Sequence, residues 1–507
     1  MRALLIALLP GAALAGDPVF LDRSSALPVE HIYGGGWEHF VGGGVAVFDC
    51  DGDALPDIFA AGGENPVTLL RNTTPPGGDL TFAQGDFPGL TDVTGAYPLD
   101  IDSDGHLDLA VLRVGPNKLY RGGPDCSFTD ATAAWGLVPD NRWTTAFSAT
   151  WEPGQDMPTL AFGNYVDRTD PDGPFQACDA HQIYRPEGAR YGPPLDLTPG
   201  YCALSLLFSD WSRRGRADLR LSNDRHYYVR GGAEQMWRPD QNRFLGPEDG
   251  WEKLSIWGMG IASRDLNEDG LPDIVLTSMG DQILQHGTGT GFVTLPYSAG
   301  ATAHRPHVGD DGRPSTGWHA AFGDVDNDRL PDLFIAKGNV DQMPGNAMAD
   351  PNNLLVLTPE GRFVEVGATA GIATTDRSRG AALADLNADG RLDLVVVNRR
   401  APMELWQNAT ETGHGWAAIE LRQPGANPRA VGAWVELRTP DGLTYTQERT
   451  VGGGHAGGSA LPLYFGLESY GSAEARVIWP DGATSGWLPI AANRTTTITR
   501  TTTAPQN

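Results

Sequence analysis

Five stretches of the chain place acids at one repeated spacing that suits a hard cation. The pattern is D-x-[DN]-x-D-x-x-x-D, preceded by a small or apolar run and followed by a strand-like run. The first copy is Asp49, Asp51, Asp53 and Asp57, leading into Ile58-Phe59-Ala60; the second is Asp100, Asp102, Asp104 and Asp108, leading into Leu109-Ala110-Val111-Leu112. The others are Asp265/Asn267/Asp269/Asp273, Asp324/Asp326/Asp328/Asp332 and Asp385/Asn387/Asp389/Asp393. Calcium takes six to eight oxygens at about 2.3–2.6 Å without directional covalency. Positions one, three and five of a tight loop can turn their side chains to one point. Position seven (Leu55, His106, Leu271, Leu330 and Arg391) would add a backbone carbonyl, and the acid at position nine would close the shell. An EF-hand needs Glu at position twelve, where this chain has Ala60, Val111, Leu276, Ile335 and Val396. The spacing therefore predicts a loop joining two strands and about five structural calcium sites. Magnesium prefers small octahedral shells that keep water, and zinc would want thiolate or imidazole. Solvated Asp/Gly turns are the plain alternative for any single copy; recurrence at a fixed period favours the metal.

Two degraded copies fill the middle of the chain. Asp210-Trp211-Ser212-Arg213-Arg214 with Asp218 keeps the first and last acids but has Arg214 at position five, and Trp151 with Met157-Pro158-Thr159-Leu160 keeps only the flanks. No metal is expected at Asp210. Either Arg214 lays its guanidinium between Asp210 and Asp218, or it lies in solvent. Starts at 49, 100, 151, 210, 265, 324 and 385 give spacings of 51, 51, 59, 55, 59 and 61. Such a period in a β-rich chain predicts one four-stranded sheet per repeat, so the expected fold is all-β, a seven-bladed β-propeller followed by a small C-terminal β domain. A strand near Val19–Asp22 is expected to complete the seventh sheet beside Leu405, because closure removes exposed edges.

Composition agrees. The 507 residues include 65 Gly and 38 Pro, with short aliphatic clusters between turns, and exceed one ordinary core. The net charge of −26 argues against nucleic-acid or anionic-membrane partners; five bound calcium ions would remove ten of those charges. Residues 1–15, with Arg2, the apolar stretch Ala3–Leu9 and Ala13-Leu14-Ala15, read as a signal peptide, and no later segment reaches about 20 apolar residues. The expected location is secreted or extracytoplasmic, a periplasm or cell surface if the source is bacterial. Cys178 and Cys202, in an irregular Pro/Gly/Asp-rich stretch, are expected to pair, leaving Cys50 and Cys126 to pair with each other or remain free buried thiols.

The acidic loops and their flanking strands resemble the FG-GAP/VCBS repeats of integrin α-subunit propellers. That resemblance implies structural calcium facing away from a ligand surface. From about His414 the sequence changes to Trp416-Ala417-Ala418-Ile419-Glu420-Leu421, Asn427-Pro428-Arg429, Gly452-Gly453-Gly454, Tyr464-Phe465-Gly466-Leu467 and Val477-Ile478-Trp479-Pro480-Asp481-Gly482. This order resembles the ASPIC/UnbV domain that follows such propellers in proteins similar to cartilage acidic protein, as does the Cys178–Cys202 insert with Pro199-Gly200-Tyr201-Cys202. Gly457-Gly458-Ser459 departs from it, since the family more often has a bulkier residue before the serine. The expected organisation is a signal peptide (1–15), propeller (16–410), ASPIC/UnbV-like domain (414–500) and disordered tail (501–507). The resemblance implies a secreted calcium-binding protein in adhesion or matrix contact.

No zinc-protease, nucleophile-elbow or phosphate-loop motif occurs. His304-Arg305-Pro306-His307, near His319, reads as a loop, and Gly452–Gly454 with His455 as a turn rather than a ligand cradle. Trp143, Trp257 and Trp318 could line a channel. The leading expectation is a module binding a glycan or extracellular protein. Its alternatives are a calcium-dependent polysaccharide lyase or hydrolase with a channel active site, and a structural surface or matrix protein.

Overall fold

Aliphatic runs separated by Gly/Asp turns satisfy their backbone groups by strand pairing, and the computed structural model is nearly all β. It describes residues 16–224, 230–302, 304–309 and 311–501; the expected signal peptide and residues 502–507 of the expected tail lie outside the described residues. Among the described residues the α-helix is the single turn Gly367–Ala370.

Seven four-stranded antiparallel sheets follow one another along the chain. Their first strands are Val45–Phe48, Val93–Leu99, Thr144–Thr150, Ala203–Ser209, Gly258–Arg264, Gly317–Gly323 and Ser378–Ala384. These are buried along nearly their whole length, so they form the inner edge. Each inner strand lies against that of the next sheet, and Ser378–Ala384 lies against Val45–Phe48, so the order of neighbours returns to its start. The seventh sheet is completed by Phe20–Asp22 beside Glu404–Asn408, with Phe20 opposite Asn408 and Asp22 opposite Trp406, as the sequence predicts. Between the first two sheets Ala46, Phe48, Phe59, Leu109 and Val111 make one apolar cluster, and similar clusters fill the later junctions.

Both disulfides are formed. Cys178–Cys202 closes the irregular insert at a Cα separation of 5.0 Å, and Cys50–Cys126 ties the first acidic loop to the rim of the second sheet at 4.9 Å. The C-terminal part has a three-stranded sheet, in which Gly415–Arg422 runs between antiparallel Leu463–Glu468 and parallel Arg494–Thr499, and a four-stranded sheet built on Trp434–Arg438 and Ser472–Ile478. The two enclose a core including Ile419, Leu421, Val435, Phe465, Val477 and Ile498.

One expectation fails here. The segment around Gly452–Gly454 is not a simple turn; it threads between the inner strands and bonds to six of the seven. Ala149 N donates to Val451 O at 3.2 Å, Gly453 N to Leu206 O at 2.7 Å, Gly454 N to Ile261 O at 2.7 Å, Gly458 N to Ala96 O at 3.3 Å and Ala460 N to Val47 O at 3.0 Å. His455 N donates to His319 Nδ1 at 3.1 Å, and Gly42 N donates to His455 Nε2 at 3.1 Å. A Cβ at Gly457 would lie 2.4 Å from Val45 O, and one at Gly458 2.7 Å from the Tyr97 ring. Bulkier residues are excluded because two backbones meet there. Trp318, expected as a channel wall, is fully buried with its ring 5.0 Å from that of His455, and Trp143 is buried beneath Trp37.

Candidate metal centre

All seven copies of the acidic pattern, intact or degraded, connect the inner strand of a sheet to its second strand. In every intact copy the acid at position nine opens the second strand, as Asp57, Asp108, Asp273, Asp332 and Asp393. Each accepts the backbone N–H of loop position two, from Cys50, Ile101, Leu266, Val325 and Leu386, at 2.7–3.0 Å. Its other oxygen accepts a backbone N–H from the third strand, from Asn72, Gly122, Gly287, Leu357 and Asn408, at 2.8–3.1 Å. The closing acid thus pins three segments of one sheet together. Position-one acids close the loop by accepting an N–H five residues on, as in Gly105 to Asp100 at 3.1 Å and Arg329 to Asp324 at 2.8 Å. Positions five and seven are locked by an Asx-type bond: Leu55 N to Asp53, His106 N to Asp104, Leu271 N to Asp269, Leu330 N to Asp328 and Arg391 N to Asp389, all at 2.8–2.9 Å.

Three loops bring three carboxylates within 4.8 Å of one another: Asp49/Asp51/Asp53, Asp100/Asp102/Asp108 and Asp324/Asp326/Asp332. In the two loops with asparagine at position three, the amide bonds to the position-five acid, Asn267 to Asp269 at 3.1 Å and Asn387 to Asp389 at 3.0 Å. Asp100 Oδ1, Asp102 Oδ1 and Asp265 Oδ1 are buried with no hydrogen-bond partner. Burial raises the acids well above the ordinary carboxylate range: Asp57 and Asp265 to about 7, Asp100, Asp328 and Asp385 to about 6, and Asp108 to about 8. Asp324, Asp332 and Asp393 are pushed up further, again chiefly by burial. Crowded, desolvated carboxylates with orphaned oxygens form an all-oxygen donor set that fits a hard divalent cation. Arginines take part of the same charge: Arg71 lies 2.5 Å from Asp51 and Arg121 2.6 Å from Asp102.

The degraded fourth loop keeps the frame without the acid cluster. Asp210 accepts Arg214 N and Gly215 N, both at 2.8 Å. The Arg214 side chain does not lie between Asp210 and Asp218; it is exposed and reaches Gly289 O at 3.3 Å. Asp218 instead pairs with Arg238 at 3.3 Å and accepts Trp211 Nε1 at 3.0 Å. Arg238 sits in the third strand of that sheet, outside the repeat motif, where no sequence signal marks it as a partner.

The C-terminal domain docks on this loop side. Tyr464 OH donates to Gly390 O, Trp416 stacks on Tyr464 at 5.5 Å, and Arg329 bridges Asp441 at 2.8 Å and Glu468 at 2.6 Å. A Cβ at Gly466 would fall 1.9 Å from Asp324 Oδ2, which gives the glycine of Tyr464-Phe465-Gly466-Leu467 a physical reason. These docking residues were visible in the sequence only as an aromatic–glycine motif. His304 and His307 lie near Asp281 and Glu365, whereas His319 accepts His455 N.

Family models match FG-GAP-like repeats over residues 49–111, 265–335 and 324–396, and an ASPIC and UnbV domain over residues 423–505. No curated protein matches. Similar solved structures include BBS1N in complex with ARL6DN, at 12% identity, covering 77% of this chain and 97% of that one, with a TM-score of 0.45. An Agrocybe aegerita lectin with specific recognition of non-reducing terminal N-acetylglucosamine is 14% identical, covering 73% and 94%, with a TM-score of 0.39. The extracellular domain of a putative hybrid two component system from B. thetaiotaomicron is 9% identical, covering 94% of this chain and 59% of that one, at 0.42. No helix among the described residues is long and apolar enough to cross a membrane. The chain is an FG-GAP repeat protein with a C-terminal UnbV domain.

Proposed function

We propose that this chain is a secreted, seven-bladed β-propeller stiffened by about five structural calcium ions, and that it serves as a binding module for a glycan or an extracellular protein. The cyclic order of seven four-stranded sheets supports the propeller reading. Crowded loop carboxylates with orphaned oxygens support calcium, and two disulfides favour an extracytoplasmic setting. The residues that would hold calcium are those at positions one, three, five, seven and nine of the five intact loops. The ion would neutralise the cluster, leaving position-one and position-nine acids to keep their backbone bonds.

One observation carries the binding reading. At the other end of the inner strands, away from the acidic loops, lies an open bowl of about 440 Å³ walled by Trp37, Phe40, Phe175 and Met343 over the buried Tyr165 and Trp318. Aromatic and methionine walls of this kind offer large, adaptable contact area. The glycine segment threads the space between the inner strands where a channel active site would sit and narrows it to a cavity of about 260 Å³, which favours binding over the lyase or hydrolase alternative. Screening the mature protein on glycan and protein arrays should give a ligand whose affinity falls about tenfold or more in Trp37→Ala, a 40% exposed ring at the bowl. Ligands bound equally by the variant would count against the bowl.

A further inference from the structure

A second cleft, of about 660 Å³, opens on the loop side between the third and fourth loops and the C-terminal domain. Those two loops are the ones that lack the acid cluster. Its walls carry Trp151 from the third loop, Arg213, Arg214 and Arg216 from the fourth, and Trp434 and Trp479 from the C-terminal domain. The Arg213 guanidinium lies over the Trp434 ring at 4.1 Å and reaches Glu436 at 3.2 Å.

The unmet groups in this cleft are all donors. Trp151 Nε1, Trp434 Nε1, Arg213 Nη1 and Arg216 Nε are buried without hydrogen-bond partners, and Trp434 is only 3% exposed. The acids in its walls are already engaged. Asp210 accepts two backbone N–H groups, Glu152 is held by Thr159 and Arg185, Asp240 by Arg216 and Asp481 by Arg500. Glu448 accepts Asp210 N at 2.8 Å, and burial pushes it up to about 8, which favours its neutral form. Buried donors without acceptors are costly, so the missing partner brings oxygen acceptors, and guanidiniums favour a carboxylate among them. Indole rings, with an apolar face and a polar edge, match a pyranose, which has an apolar C–H face and a hydroxyl rim.

We propose that this interdomain cleft binds a uronate-bearing oligosaccharide, with the exposed Arg214 meeting the carboxylate, the unmet donors of Arg213 and Arg216 supporting it from behind, and the half-buried Trp151 facing a sugar ring. The site is distinct from the bowl at the opposite end of the inner strands, so either can fail without the other. The test is calorimetric titration of the full chain in calcium with trimers of galacturonate, glucuronate and mannuronate, beside their neutral hexose counterparts and hexaglutamate. At least one acidic trimer should bind about tenfold tighter than its neutral counterpart, and Arg214→Ala and Trp151→Phe should each weaken it about tenfold. Arg214 is exposed and Trp151→Phe keeps a ring, so an unchanged melting temperature is expected for both. The proposal is overturned if no acidic trimer binds at millimolar concentration, if both variants bind like the parent, or if hexaglutamate binds as tightly as the sugars.

Discussion

The sixth and fourth loops share a frame and differ in what fills it. Asp324 and Asp210 close their loops through the same backbone bonds, from residues four and five positions on. The acid at position nine diverges: Asp332 accepts two backbone N–H groups, whereas Asp218 is held by Arg238 and Trp211 side chains. Positions three and five are Asp326 and Asp328 in one loop and Ser212 and Arg214 in the other. The shared loop shape therefore goes with the position-one acid, and the acid cluster is a separable layer added at three and five. Both loops touch the C-terminal domain, the sixth through Arg329 and the fourth through Arg213 and Glu448. The cleft lies beside the loop without the cluster.

The comparison can be broken most sharply at Arg238. Removing it by Arg238→Ala leaves Asp218 buried without a counter-charge, held by Trp211 alone, with an expected cost of about 3 kcal/mol. Chemical denaturation should show the same loss in calcium and in chelator, since no ion is proposed for that loop; a calcium-dependent loss would erase the distinction. Asp326→Ala should cost about 2.7 kcal/mol if calcium stands near a hundredfold over its Kd. That loss should nearly vanish in chelator, and equal losses in both would remove the metal from the sixth loop. Gly457→Ala pushes a methyl into Val45 O and should cost about 1–3 kcal/mol by overpacking, read as a lower melting temperature with or without calcium. Arg214→Asp, an exposed change, should shift stability by about 0.5 kcal/mol or less in chelator. A gain appearing only with calcium would mark a metal site restored in the fourth loop.

Acid should loosen the glycine segment on its own account. His455 and His319 are buried against each other, and burial lowers them to about 3 and about 4, with Arg379 also opposing a charge on His455. The unfolded chain binds more protons than the folded one between about pH 3 and 6.5, so this part of the stability is complete above 6.5 and is lost as the pH falls. His455→Gln should flatten that acid limb in denaturation midpoints measured from pH 7 to 4; an unchanged slope would contradict the assignment.

Much of this was legible in the sequence because acids at fixed positions leave a period that nothing else erases. Asp49 to Asp393 marked seven inner-to-second-strand loops, and Phe20 marked the strand that completes the last sheet. The Cys178–Cys202 pair followed from the poverty of apolar residues around Cys178, whereas Cys50–Cys126 stays open in the sequence between a pair and two free thiols. What stayed hidden depends on meetings between distant parts. Gly452–Gly458 carries almost no side chains, so no period exposes its role; its signal was the glycine density itself, which marks close backbone approach. Arg238 and Glu448 lie outside the motif they complete, and the bowl is assembled from strand ends hundreds of residues apart.

Metal content tests the central claim most directly. After dialysis into calcium buffer and removal of free ions, elemental analysis of the purified chain should give about five calcium ions per molecule, falling by one in Asp326→Ala and unchanged in Ser212→Ala. A metal-free protein, or one whose content ignores Asp326→Ala, would contradict it.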